Sequence, residues 1–348
     1  MALEAIMESV NIRKTQTRQR DDARDELLAM PRSLVLQYPR GTQEREHYPS
    51  PDDATAFREW FDREGYVVVR NAVPAALCEA GIAAFHKEVL PDRRGFFERH
   101  ASGRYERHVL TKSGFMKYPI MNLQDLPGKK YAAFRKAGLD VLTQPRIQQA
   151  VKALCGEPGR MVHTMYFDGN QTTWAHRDGH YIDSGEAGCM IGVWVAAEDI
   201  HPGAGRFFVL PRSHKMAVPG EAGDPNSVDY KKNMAEFVRN GPLDCLSPVL
   251  RQGDVLMWNS MVIHGSLPTS DARQSRRSFT AHYVPRSQQY RWNVRPHASV
   301  RSMMVNQVEV ILHRDDDTWT KRLRNTVRAE LPWLYGIAQG MRRLALRV

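Results

Sequence analysis

The segment Thr173-Trp174-Ala175-His176-Arg177-Asp178-Gly179-His180 holds residue types suited to binding a metal. In a β-strand, side chains at i and i+2 point to one face. On that reading His176 and Asp178 present an imidazole and a carboxylate side by side. Two ligands leave most of a divalent cation's coordination sphere empty, so a third must come from elsewhere in the fold. His264 is the best candidate, 88 residues downstream at the end of the apolar run Met261-Val262-Ile263. Two neutral imidazoles and one carboxylate form a facial triad with open positions. That geometry suits non-haem Fe(II), which must bind a co-substrate and O2 together, whereas zinc prefers a closed tetrahedron or a single open site.

Arg276 and Arg277 follow His264 at the entrance to the strand pattern Ser278-Phe279-Thr280-Ala281-His282-Tyr283. A dicarboxylate co-substrate with one end on iron needs a guanidinium at its far end, and bidentate pairing supplies it. His180 extends the pair to HxDxH. A fourth ligand would close a site that the chemistry needs open, so His180 reads as adjoining the site or facing substrate, with a structural role equally open. His214 and His282 read as hydrogen-bonded structural histidines. Trp174, Trp194 and Trp258 read as core packing near the site.

The surrounding elements follow from periodicity. A helix over 54–64 is broken by Gly65, and the β-branched run Tyr66-Val67-Val68-Val69 follows as a strand. Pro74 opens a helix that Pro91 stops, and two more span 128–141 and 145–154. Short strands are expected over 161–167, 174–181, 190–197, 206–210, 254–258 and 278–284. An insertion over 217–246 carries a short helix around 230–239. Regular short strands after a helical N-terminal part indicate an α+β chain with a mainly β core, a sandwich or barrel with helices outside. Residues 1–50 read as a polar N-terminal arm with one short helix candidate over 21–30, residues 51–300 as the main domain, and 301–348 as a basic helical extension.

Composition excludes several classes. Apolar residues at 42% and charged residues at 25% rule out wholesale disorder. The central apolar run is far shorter than a membrane span, and Glu4 and Glu8 argue against a signal or transit peptide, which points to a soluble cytoplasmic protein. Four widely spaced cysteines with no CxxC read as free thiols in a reducing compartment. The net charge of +10 lies almost wholly in the last quarter: residues 271–348 hold fifteen Lys/Arg against six Asp/Glu. A general nucleic-acid surface would spread that charge around the site, so nucleic-acid binding ranks last.

The region from about residue 51 to 300 resembles the phytanoyl-CoA dioxygenase family of Fe(II)/2-oxoglutarate oxygenases. The likeness rests on ordered motifs: Glu64-Gly65-Tyr66-Val67-Val68-Val69, the HxD pair, the run Met190-Ile191-Gly192-Val193-Trp194-Val195-Ala196-Ala197-Glu198-Asp199, Gly205-Arg206-Phe207-Phe208-Val209-Leu210-Pro211-Arg212-Ser213-His214-Lys215, and His264-Gly265-Ser266 with the arginine. The family's usual Pro-Gly-Ser-His turn reads Pro211-Arg212-Ser213-His214 here, a departure at a turn glycine.

The resemblance implies a double-stranded β-helix (jelly-roll, cupin-like) with iron on His176, Asp178 and His264. It implies 2-oxoglutarate and O2 as co-substrates, the former held by a late arginine. Arg276 is favoured over Arg277, since its distance from Tyr283 matches the family and strand parity puts it on one face with Ser278, Thr280 and His282. Ser266 and Thr173 stand where relatives often touch the co-substrate. Relatives that halogenate lack the carboxylate, so Asp178 implies hydroxylation, or a desaturating or ring-forming variant. Arg104, His108, Lys112, Lys117 and Tyr118, in the irregular stretch 93–123, point to a small anionic substrate, with an ordinary basic surface loop equally open. The basic amphipathic segment 317–348 reads as packing on the barrel or mediating self-association, with peripheral contact with anionic lipid and a lipid-linked substrate as the other reading. A non-catalytic cupin-like binding protein is the alternative; it would have a broken triad.

Overall fold

The runs Tyr66–Val69, Ile191–Ala196 and Val255–Trp258 are nearly continuously apolar, the pattern of strands covered on both faces, whereas 278–284 alternates polar and apolar residues. The computed structural model shows what covers them; it describes residues 47–92, 95–98, 105–292, 295–296 and 301–313, with positions 320, 323, 327 and 331. The arm candidate over 21–30, Arg104, and most of the expected 317–348 helix lie outside the described residues.

Helix α1 (Ala54–Glu64) starts at Asp53, whose side chain accepts from Ala56 N, and ends at Gly65, which takes a left-handed φ of 80°. Strand β1 (Tyr66–Val69) follows directly. Helix α2 (Ala75–Ala84) continues into one π-helical turn over Phe85–Val89. A hairpin, β2 (Phe96–Glu98) and β3 (Tyr105–Arg107), and the short β4 (Ile120–Met121) lie within the stretch expected to be irregular. Helices α3 (Ala132–Leu142) and α4 (Pro145–Cys155) precede β5 (Gly159–Phe167). The rest of the core is β6 (Ile182–Ser184), β7 (Ile191–Ala196), β8 (Phe207–Val209), α5 (Val228–Asn240), β9 (Val255–Asn259), β10 (His264–Ser266) and β11 (Ser278–Pro285). Strands β12 (Tyr290–Trp292), β13 (Arg295–Pro296), β14 (Arg301–Val305) and β15 (Val308–Leu312) complete it.

The large sheet runs β1-β9-β7-β11-β5-β15-β14, with β4 also on β5. Its outer face packs on the helices: Phe57, Phe85, Phe134 and Val151 meet Val193, Met257, Phe279 and Tyr283. Its inner face gives Tyr66, Val68, Trp194, Leu256 and Trp258 to a second cluster with Val209 and Val262. The facing small sheet is β8 with β10. Helix α5 covers the outside of that sheet, its Tyr230, Met234 and Val238 packed on Phe208, Leu210 and Ile263. Two opposed sheets with helices outside make the jelly-roll architecture expected. Burying one of these large side chains stabilises by about 1.5–3 kcal/mol, so the face a residue occupies is strongly specified.

Two expectations need correction. The first twelve residues of the supposed helical extension form the hairpin β14–β15, and β15 joins the large sheet parallel to β5. The turn is Asn306-Gln307, both with positive φ (46° and 67°), and Val308 and Val310 enter the main core. The expected strand over 174–181 is extended only at its start, and Asp178–His180 is a 3-10 turn. There Tyr181 N bonds back to Asp178 O, and Gly179 N leaves the ladder for Ser260 O.

Candidate metal centre

The start of that segment lies antiparallel to β10. Ser266 N donates to Thr173 O, and His176 and His264 exchange both backbone hydrogen bonds at 3.0 Å. This pairing sets their rings side by side, with centroids 4.3 Å apart. Arg177 is still extended (φ −114°, ψ 130°), so the i, i+2 relation of His176 and Asp178 survives. The turn at Asp178 ends the relation to His180.

One ligand atom from each of His176, Asp178 and His264 lies within 4.8 Å of the others. Asp178 Oδ1 stands 3.4 Å from His176 Nε2 and 3.5 Å from His264 Nε2. Both Nδ1–H groups donate to backbone carbonyls, His176 to Trp174 O at 2.8 Å and His264 to Val262 O at 3.0 Å. Those bonds fix neutral imidazoles with their Nε2 lone pairs facing inward. Two such lone pairs and a carboxylate oxygen directed at one another form a donor set that a divalent cation completes.

The other Asp178 oxygen is held by the protein. Oδ2 accepts from Trp258 Nε1 at 2.8 Å and from His282 Nε2 at 3.0 Å. Burial pushes the Asp178 carboxyl up, but the surrounding imidazoles, chiefly His264 and His282, outweigh it and hold the carboxyl well below its ordinary range. Burial and the neighbouring His264 push His176 down, which favours the neutral ligand form. His264 is walled by Phe207, stacked at 5.4 Å, and by Trp258 at 5.0 Å.

Arg276 and Arg277 separate cleanly. Arg277 is ion-paired to Asp168 at 3.1 Å and to Glu198 at 3.0 Å, so it ties together the ends of the neighbouring strands β5, β7 and β11. Arg276 is buried, with Nη2 donating to Gln171 O at 2.8 Å and Nη1 to Gly205 O. No acidic side chain among the described residues pairs with it, and burial pushes its pKa down to about 10. The hydroxyls of Ser278 and Thr280 are also buried without a hydrogen-bond partner among the described residues. Alternation along β11 places both on the face that carries His282 to Asp178, with Arg276 in the same parity just before the strand.

Ser266 and Thr173 are joined to each other, Ser266 Oγ accepting from Thr173 N at 2.7 Å. His180 bonds through Nδ1 to the Tyr230 hydroxyl at 2.7 Å. His214 bonds to Asp62 O at 3.1 Å, far along the chain from the ligands. Sequence reasoning missed the role of Trp258 and His282 as clamps on Asp178. Strand parity had put His282 on the right face. For Trp258 the available signal was Gly192, where an added Cβ would lie 2.1 Å from the indole.

A profile of the phytanoyl-CoA dioxygenase (PhyH) family matches residues 61–278, well over half of the chain. Among solved structures, the chain is similar to the epimerase SnoN in complex with Fe3+, alpha ketoglutarate and nogalamycin RO (TM-score 0.53, 17% identity, covering 75% of this chain and 99% of that one). It is similar to EctD from S. alaskensis with 2-oxoglutarate and 5-hydroxyectoine (TM-score 0.52, 17% identity, 77% and 91%). It also resembles the non-heme alpha ketoglutarate dependent carbocyclase SnoK from nogalamycin biosynthesis (TM-score 0.52, 16% identity, 72% and 91%). At such identities these likenesses establish the fold. No curated protein matches the sequence.

Family, fold and site together define a non-haem iron, 2-oxoglutarate-dependent oxygenase acting on a small molecule. The chain belongs to the phytanoyl-CoA dioxygenase family. Among the described residues no helix is long and apolar enough to cross a membrane.

Proposed function

We propose that this chain hydroxylates an unactivated C–H bond of a small anionic metabolite, with iron on His176, Asp178 and His264 and 2-oxoglutarate anchored by Arg276. One observation carries the reading: a buried guanidinium with no acidic partner among the described residues lies in line with the hydroxyls of Ser278 and Thr280, which have no partner there either, on the strand face that reaches Asp178. A buried cation lacking a counterion is costly, and a dicarboxylate satisfies it.

When bound, iron with 2-oxoglutarate supplies the activation of O2 that puts one oxygen atom into the substrate C–H bond and the other into succinate, with release of CO2. The chain's own residues orient and enclose. Trp258 and His282 hold Asp178 Oδ2, leaving Oδ1 as the ligand atom. The Trp174 and Val262 carbonyls fix the tautomers of His176 and His264. Arg276 pairs with the distal carboxylate, while Ser266 and Thr173 brace the ladder between the two ligand-bearing segments and border the co-substrate. Phe207 and Trp258 keep water from His264. No residue is required as a general base.

The test is an anaerobic titration of Fe(II) into the apo-protein with 2-oxoglutarate, following the weak visible charge-transfer band of a keto acid chelated to iron. We expect the band in the wild type, its loss in His176→Ala, and a much higher 2-oxoglutarate requirement in Arg276→Ala. A wild type without the band would overturn the reading and leave a cupin-like binding protein.

A further inference from the structure

The insertion over 217–246 reaches the metal segment through two neighbouring side chains of α5. Tyr230 places its hydroxyl 2.7 Å from His180 Nδ1. Lys231 places its ammonium over the ring of Trp174, 4.0 Å from the centroid. Trp174 in turn lies 6.2 Å, ring to ring, from the ligand His176. Trp174 and His176 are i and i+2 in the extended segment paired to β10, so they share the face turned toward the metal site.

Lys231 is 2% exposed, and its Nζ has no hydrogen-bond partner among the described residues. Asp224 exerts a field on it without forming an ion pair, and burial pushes the ammonium's pKa down. A ring face satisfies part of a cation's demand but accepts none of its three N–H bonds. Its neighbours differ: Arg177 is tied to the Ser213 and Met216 carbonyls and paired with Glu221. A desolvated ammonium with three unused donors, two ring contacts from a metal ligand, is an incomplete anion site.

We propose that Lys231 is the substrate anchor: a carboxylate or phosphate group of the molecule to be oxidised sits on its ammonium beside Trp174, which holds the rest of that molecule toward His176. This rests on the oxygenase reading and assigns the substrate's charge to one residue. It also moves substrate recognition from the basic stretch 93–123 to the insertion helix. 2-Oxoglutarate carries carboxylates too, so the test must separate the two sources.

The full-length protein, labelled with 13C at lysine Cε and loaded with Zn(II), is titrated with inorganic phosphate and with acetate while the lysine signals are followed by NMR. Both titrations are run with and without saturating 2-oxoglutarate. The Lys231 signal is assigned by its loss in Lys231→Met. We expect it to move saturably with phosphate or acetate under both conditions, and to stay put when 2-oxoglutarate is added alone. Lys231→Arg should still bind the same anion, measured by calorimetry, and Lys231→Met should weaken it at least about 30-fold. A signal that ignores both anions, or that moves with 2-oxoglutarate and then no longer responds to phosphate, overturns the proposal. Failure of the oxygenase reading would show separately, as a missing charge-transfer band in the wild type.

Discussion

The indole of Trp258 donates to Asp178 Oδ2 at 2.8 Å from a strand paired beside Gly192, whose missing side chain leaves the room the ring occupies. With His282 on the same oxygen, Asp178 can offer a metal only Oδ1 without breaking a hydrogen bond. Outer hydrogen bonds of this kind typically set metal affinity by 10–100-fold. Trp258→Phe should therefore weaken Fe(II) binding by about tenfold or more. The phenyl ring retains most of the packing, so a thermal melt should show a folded protein. Equal affinity in the two proteins, measured by anaerobic titration, would remove Trp258 from the metal's support.

The adjacent arginines should fail in opposite ways. Arg276→Lys keeps a charge but loses the planar fork, so the requirement for 2-oxoglutarate should rise by roughly 30-fold or more at little cost in stability. Arg277→Ala strands Asp168, whose side chain is 2% exposed, together with Glu198. Removing one partner of a buried pair costs about 3–5 kcal/mol. Urea unfolding and 2-oxoglutarate titration of both variants check this, and the prediction fails if Arg277→Ala alone loses co-substrate affinity.

A third expectation concerns alkaline pH. Cys78 is fully buried between α2 and the large sheet, its Sγ 3.9 Å from Ala196 O, and burial pushes its pKa from 9.0 up to about 11. The folded state keeps the proton where the unfolded chain gives it up. Stability from this thiol is thus full below pH 9 and falls as pH rises toward 11, by an amount on the order of 2–3 kcal/mol. Cys78→Ala should lower stability at pH 8 through its small cavity yet flatten the decline above pH 9. Parallel declines for wild type and variant in urea unfolding would show that other groups carry it.

Much of this was legible in the sequence, for reasons that differ by residue. His176, Asp178 and His264 could be singled out as candidate ligands because metal chemistry limits both the residue types and their distribution over two segments, and the structure brings the three together. Nearly continuous apolar runs marked β1 and β7, since strands covered on both faces need them, and polar–apolar alternation marked β11. The Trp258 clamp was missed: its partner is 80 residues away, a tryptophan in a strand reads as packing, and its one signal, Gly192, has meaning only once the strand register is known. Lys231 was hidden in a helix whose alternating polar and apolar residues describe only an amphipathic face. The β14–β15 hairpin was lost because Asn306-Gln307 lacks the glycine that usually announces a two-residue turn, and the basic residues beyond it drew the whole stretch toward a helix.

The turn that departs from the family pattern yields the last prediction. Arg212 stands where glycine is usual and adopts the left-handed backbone, φ 69° and ψ −1°. An L-residue there carries about 1–2 kcal/mol of strain, against about 0.5–1 kcal/mol of extra chain entropy that glycine loses on folding. The Arg212 side chain offers little in return: it is 57% exposed, and its Nε lies 4.0 Å from Glu64. The bond from Arg212 N to Glu64 O at 2.8 Å is backbone and survives substitution. Arg212→Gly should then stabilise by roughly 0.5–1 kcal/mol, read as a higher urea midpoint at unchanged slope. The next residue gives the change a functional readout. Ser213 Oγ accepts from Ile263 N at 2.8 Å, immediately before the proposed ligand His264. Relaxing the turn should leave that bond, and so Fe(II) affinity, intact. A stabilised variant with weakened iron binding would mean that the strain at Arg212 helps to set the position of His264.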